Sequence, residues 1–163
     1  MFLKFLIITL LIVVLALYLN RKEKLNKIKE STTDISEVLD TMNLPVVSFS
    51  IGNKKLNFLL DTGSDRCIIN TKYLKKLPHK KTEYKTVAYG VDGKEFVVNI
   101  NTVNLKYKDY VFDNVSIYDS DLSAPFNNIK KQHNITIHGL IGNDFLRSMG
   151  FVIDYSKNII YLN

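Results

Sequence analysis

Cysteine is almost absent from this sequence. Cys67 stands alone among 163 residues, which excludes an internal disulfide and any multi-cysteine metal site. It reads as a small buried apolar residue. Histidine supplies no metal centre either, because His79, His133 and His138 lack ligand spacing. No phosphate-cradling glycine loop and no G-x-S-x-G nucleophile elbow occurs, no internal repeat is visible, and no cofactor is implied. A basic stripe with interleaved aromatics is also missing. The net charge of +6 is concentrated at the start: Lys4, Arg21, Lys22, Lys24, Lys27 and Lys29 face only Glu23 and Glu30 within residues 1–30, which leaves +2 for the rest. Nucleic acid is therefore not an expected partner. Glycine is scarce, and six of the seven fall in three places: Gly63; Gly90 and Gly93; and Gly139, Gly142 and Gly150. Such clustering points to positions that need backbone freedom or the lack of a side chain.

What is present divides the chain into three expected parts. Residues 1–20 contain an uncharged apolar run, FLIITLLIVVLALYL, from Phe5 to Leu19. It reads as an uncleaved single-pass membrane anchor, because Ala16 is isolated among bulky residues and Leu17, Tyr18 and Leu19 make a poor signal-peptidase site. The bases that follow it favour the cytoplasm for the remaining chain by the positive-inside rule, with an outward-facing signal-anchor as the alternative. Residues 21–43 read as a polar linker, with KEKLNKIKE as a short helical stalk and STTDISEVLD as the start of a capped turn.

From residue 44 to residue 163 the pattern is that of short strands. VVSFSI (46–51) alternates, Gly52-Asn53-Lys54-Lys55 is a turn, and LNFLL (56–60) and CIIN (67–70) follow. Residues 86–100 read as two strands around a Gly-flanked tip, and 103–118 as a further strand pair. The polar stretch from Asp119 to Asn134, which holds Pro125, reads as a surface loop. Residues 135–150 pass from a strand to a short helix, and 151–162 form a closing hairpin. The expected fold is mainly β with one short helix near the C-terminus.

The chemistry gathers at Asp61-Thr62-Gly63-Ser64, directly after an apolar strand. An acid there is held at a strand's end, glycine lets the chain turn and brings backbone amides to the carboxylate, and two hydroxyls stand ready to orient it. LLDTGSD (59–65), AYGVDGKEF (88–96) and GLIGNDFLRSMG (139–150) together resemble, in order, the active-site loop, the flap and the apolar-apolar-Gly segment of the retroviral-type (retropepsin-like) aspartic proteases. FVIDYSKNIIYL is similar to that family's closing strands. The resemblance implies a closed β-barrel-type acid protease fold over residues 44–163, with Asp61 as the catalytic carboxylate. Thr62 would reach toward a partner loop, and Gly63 would give backbone contacts. Ser64 would bond the carboxylate from outside, and Asp65 would bind the substrate main chain. It also implies a substrate-covering flap with Tyr89, Gly90 and Gly93. Asn143 departs from the family, which often has arginine after the Gly of the third segment.

One D-T-G in a chain whose chemistry needs two carboxylates implies a homodimer with protein or peptide as substrate. Asp154-Tyr155-Ser156 lacks the glycine. The expected activity is aspartic endopeptidase hydrolysis through an Asp61 dyad. The alternative is a retropepsin-like fold used for binding or dimerisation without turnover.

Overall fold

In the computed structural model, which describes residues 2–89 and 95–163, the chain opens with a single helix, α1 (Phe2–Ser31). The expected membrane anchor is corrected here, and with it the cytoplasmic placement that rested on it: among the described residues no helix is long and apolar enough to cross a membrane. The uncharged run from Phe5 to Leu19 reaches only about 22 Å at about 1.5 Å per residue, against a hydrocarbon core of about 30 Å. Helix α1 then continues unbroken through the charged 21–30 segment. Its last turn is fastened to the rest of the chain. The Leu162 N–H donates to Ser31 Oγ at 2.9 Å, and the Tyr107 hydroxyl donates to the Ser31 carbonyl at 2.6 Å. Strand β1 (Thr33–Asp34) and helix α2 (Ser36–Met42) follow, with Ile35 and Met42 buried.

The elements after α2 are β2 (Val46–Ile51), β3 (Lys54–Asp61), β4 (Ile68–Asn70), α3 (Thr71–Leu74), β5 (Lys80–Tyr89), β6 (Glu95–Tyr107), β7 (Tyr110–Ser120), α4 (Ser123–His133), β8 (Gly139–Gly142), α5 (Asn143–Ser148), β9 (Phe151–Asp154) and β10 (Ile159–Leu162). Period-two patterning builds the strands. In β2 it sends Val47, Phe49 and Ile51 inward, and in β3 Leu56, Phe58 and Leu60. Strands run in the order β2-β3-β8-β4-β7-β6-β5. A further pairing of β2 with β6, through Ser50↔Lys106 and Ile51↔Leu105, closes six of them into a barrel and leaves β5 outside it. A second sheet, β1-β10-β9, lies beside it. The core is aromatic at its centre: the Phe49 ring lies 5.9 Å from Phe58 and 5.4 Å from Tyr107, and Phe145 and Phe151 complete the cluster. Packed rings of this kind contribute beyond their buried area.

The mainly-β expectation holds, with two differences. Residues 86–118 are not two strand pairs: β6 runs through Asn101 and Thr102 without a break, since neither Gly nor Pro interrupts it and Asn101, Val103, Leu105 and Tyr107 stay in inward phase. The buried Asn101 amide has no hydrogen-bond partner among the described residues. The 119–134 segment is also not a loop. Pro125 stands in the first turn of α4, where a missing N–H costs nothing, and Phe126 packs with Met42 and Ile137 in a small second core. The single helix expected after residue 44, α5, is thus joined by α3 and α4, while α2 falls where the start of a capped turn was expected.

The crossing of three strands positions the site. β8 lies between β3, to which it is parallel with Asp61 opposite Gly142, and β4, to which it is antiparallel with Leu140 opposite Ile68.

Candidate active site

Alternation along β3 buries Leu60 and delivers Asp61, half-buried, at the strand's end. There the chain reverses. The Gly63 N–H donates to Asp61 Oδ1 at 2.9 Å, and the Ser64 N–H donates to the Asp61 carbonyl at 3.2 Å. The Gly63 donor on one carboxylate oxygen fixes the orientation of the group. Thr62 is exposed, and its hydroxyl bonds to nothing among the described residues. Ser64 behaves differently from its expected role: its hydroxyl donates to the Arg66 carbonyl at 2.9 Å, so it ties the loop to itself and not to the Asp61 carboxylate.

The far side of the loop is held by β8 and α5. A Cβ on Gly142 would come within 2.7 Å of the Arg66 backbone nitrogen, and nearer still to its carbonyl carbon and oxygen. Only glycine allows that approach. The Asn143 N–H donates to the Ser64 carbonyl at 2.7 Å and the Asp144 N–H to the Asp65 carbonyl at 3.3 Å. Two backbone donors at the start of α5 thus pin two successive loop carbonyls. Asp65 is exposed, and its Oδ2 accepts from Arg66 Nε at 3.2 Å; Arg66 Nη1 stands 3.6 Å from Asp144 Oδ2. The guanidinium lies over the Tyr118 ring, 5.8 Å from its centroid. Next in the chain, Cys67 is buried, and burial pushes its thiol up to about 11.

The β5 and β6 strands form the arms of the expected flap. Tyr89 ends β5 opposite Glu95, and Val87 and Val97 face each other across the pair, both exposed. Gly90 and Gly93 lie outside the described residues. Asp154 does not supply a second active-site carboxylate. It sits in the β9–β10 turn, where Ser156 Oγ and Lys157 Nζ, the latter at 2.9 Å, hold its carboxyl down at about 2. Among the described residues no carboxylate is bonded to Asp61.

Two residues that the sequence reading did not single out hold this region. Arg66 is one; the signal available for it was a cation beside Asp65 in a chain that lacks the usual arginine after Gly142. His138 is the other. Its Nδ1 accepts the Asn57 N–H at 3.0 Å, its own N–H donates to the Asn57 carbonyl at 2.8 Å, and its ring lies 4.5 Å from Tyr73. It thereby joins the segment before β8 to β3.

A groove of about 930 Å³ between α2 and the β2 and β6 strands includes Asp34, Glu37, Lys55 and Lys106, but no residue of the 61–66 loop. A smaller one of about 480 Å³ runs from Asp65 and Arg66 past Tyr118 to Phe145 and Met149. The hydrogen-bonded loop around Asp61, not volume, marks the candidate site.

The model of the aspartyl protease family matches residues 47–145, a span that includes the 61–66 loop, the flap arms, β8 and the start of α5. The chain belongs to the aspartyl protease family. Among solved structures, this aspartyl protease is similar to the EIAV protease complexed with the inhibitor HBY-793. The identity is 23%, the match covers 66% of this chain and 88% of that one, and the TM-score is 0.51. None of the curated proteins searched matches it. The likeness to the EIAV protease is one of fold, and it agrees with the retropepsin-like pattern of residues 59–65, 88–96 and 139–150.

Proposed function

We propose that this aspartyl protease is an aspartic endopeptidase whose reacting water lies between Asp61 of one copy and Asp61 of a second. The observation that carries this reading is a lone carboxylate held at a strand end by the Gly63 amide, with no second carboxylate bonded to it among the described residues. Two carboxylates about 3 Å apart cannot both ionise, so the pair shares one proton and titrates as a unit. The ionised member takes a proton from water as the oxygen attacks the peptide carbonyl carbon. The protonated member donates to the developing oxyanion. Collapse of the tetrahedral species breaks the C–N bond, and the amine leaves with the proton the first carboxylate had taken. The free Thr62 hydroxyl serves the contact between the two loops, and the β5–β6 hairpin covers the substrate. Asp65, Tyr89, Gly90 and Gly93 complete the binding side of this reading.

The purified chain is expected to cleave a mixed peptide library between pH 3 and pH 7, a range suited to a carboxylate pair that shares one proton. Asp61→Asn is expected to abolish cleavage while leaving the melting temperature and sedimentation coefficient unchanged. Dimerisation without cleavage across that window would establish the binding-module reading instead. Equal turnover by the wild type and Asp61→Asn would remove Asp61 from the mechanism.

A further inference from the structure

The loop that carries Asp61 is pinned through its backbone at Ser64 and Asp65, but one of its links to α5 is ionic and runs through a single side chain. Arg66 donates from Nε to Asp65 Oδ2 at 3.2 Å and extends Nη1 to within 3.6 Å of Asp144 Oδ2, while its plane rests over Tyr118. Asn143, the first residue of α5, has no charge to offer in this place. We propose that Arg66 is a positioning residue for substrate binding: it clips the far end of the active-site loop to α5 and turns Asp65 so that its second carboxylate oxygen, Oδ1, accepts a backbone N–H of the bound peptide.

The clip rests on the reading of Asp61 as part of a peptide-cleaving dyad, but its action is on binding. Asp65 is 76% exposed at its side chain, so without a partner it samples several rotamers. Arginine suits the task because its planar fork spans two carboxylates while stacking on an aromatic face, which a lysine ammonium cannot do at once. All three charged groups are more than half exposed, which makes the clip weak and open to screening by salt.

The test uses the full chain with Arg66→Gln, Arg66→Lys and Asp144→Asn. Arg66→Gln is expected to raise KM about two- to fivefold, the range of an exposed ion pair, with kcat unchanged and the melting temperature within about 2 °C. Arg66→Lys recovers part of the loss. Asp144→Asn gives a smaller rise, and the double variant Arg66→Gln/Asp144→Asn is no worse than Arg66→Gln alone. Raising sodium chloride increases KM for the wild type and leaves it flat for Arg66→Gln. The same variants are placed in the Asp61→Asn background, and the Kd of a labelled peptide is read by fluorescence anisotropy. That arm separates the two readings: absent turnover with the Kd pattern intact overturns the protease and keeps the clip. A KM and Kd unchanged in Arg66→Gln, or a loss confined to kcat and melting temperature, overturns the clip.

Discussion

Replacing Gly142 by alanine tests the claim that the crossing of β8 beneath the active-site loop is the point on which the site's geometry depends. The backbone at Gly142 is extended, with φ −85° and ψ 169°, a conformation alanine adopts freely, so any cost is steric and not conformational. The added methyl would meet the nitrogen, carbonyl carbon and oxygen of Arg66, the nitrogen at 2.7 Å and the others closer. These are backbone atoms of a loop already fastened to Asn143 and Asp144, so no flexible side chain can swing away. Overpacking at such a point costs about 1–3 kcal/mol, and three simultaneous backbone contacts place Gly142→Ala at about 3 kcal/mol. For a chain of this size that lowers the melting temperature by roughly 10 °C. Gly63→Ala provides the contrast. Its methyl meets only Asp61 Oδ1 at 3.3 Å, so the stability cost is expected to stay near 1 kcal/mol while peptide cleavage is lost through displacement of the carboxylate. Thermal melts followed by circular dichroism, with turnover assayed on the same samples, read both. A melting temperature for Gly142→Ala within 2 °C of the wild type, or below it by less than that of Gly63→Ala, would refute the steric reasoning.

Phe49→Ala removes a ring that is 1% exposed and touches four other aromatic rings; a loss of about 3–5 kcal/mol in urea unfolding is expected, and a loss below 1.5 kcal/mol contradicts the aromatic core. Burial holds the His138 imidazole below its ordinary pKa, with Lys72 adding to the effect, and Nδ1 must stay unprotonated to accept the Asn57 N–H. Its contribution to stability is therefore complete above about pH 6.5 and is lost as pH falls through the lower folded value. The melting-temperature gap between wild type and His138→Gln should narrow from pH 7 toward pH 5, and a gap that widens sinks this assignment. Cys67, buried and with its thiol raised to about 11, is expected to resist thiol reagents at pH 8 until urea unfolds the chain; rapid labelling of the native protein would place it at the surface.

Much of this was legible in the chain because the informative residues act locally. Asp61-Thr62-Gly63 makes its own turn, and the Gly63 amide reaches the carboxylate two residues away. The alternation of 46–51 and the apolar positions of 56–60 specify strands without reference to anything distant. What escaped depends on partners far along the sequence. Ser64 is the local exception: its hydroxyl turns to the Arg66 carbonyl, only two residues on, as the loop folds back on itself. The α4 helix looked like a loop because its polar residues outnumber its apolar ones, and its stability comes from Phe126 meeting Met42 and Ile137. Helix α1 exposed the opposite error. A run of apolar residues reads as a membrane span, yet among the described residues no helix is long and apolar enough to cross one, and this helix ends at a buried serine bonded to the last strand.

The position of Asp61 follows from a crossing and not from a pocket. Three segments meet there: the end of β3, the start of β4 and the whole of β8, which enters between them from some eighty residues away. Because β8 lies between them, β3 and β4 cannot be joined by a tight hairpin although they run antiparallel, and the connecting loop must pass over the end of β8. Gly142 at that end removes the side chain that would lift the loop, and α5 begins at once so that its unpaired N–H groups meet the loop's carbonyls. The carboxylate is thus fixed from below and from one side, while Thr62 beside it stays exposed. A carboxylate built this way is fastened where it touches its own chain and open on the side that the proposed reaction assigns to a second acid. That asymmetry is the physical reason for looking to another copy of the same loop.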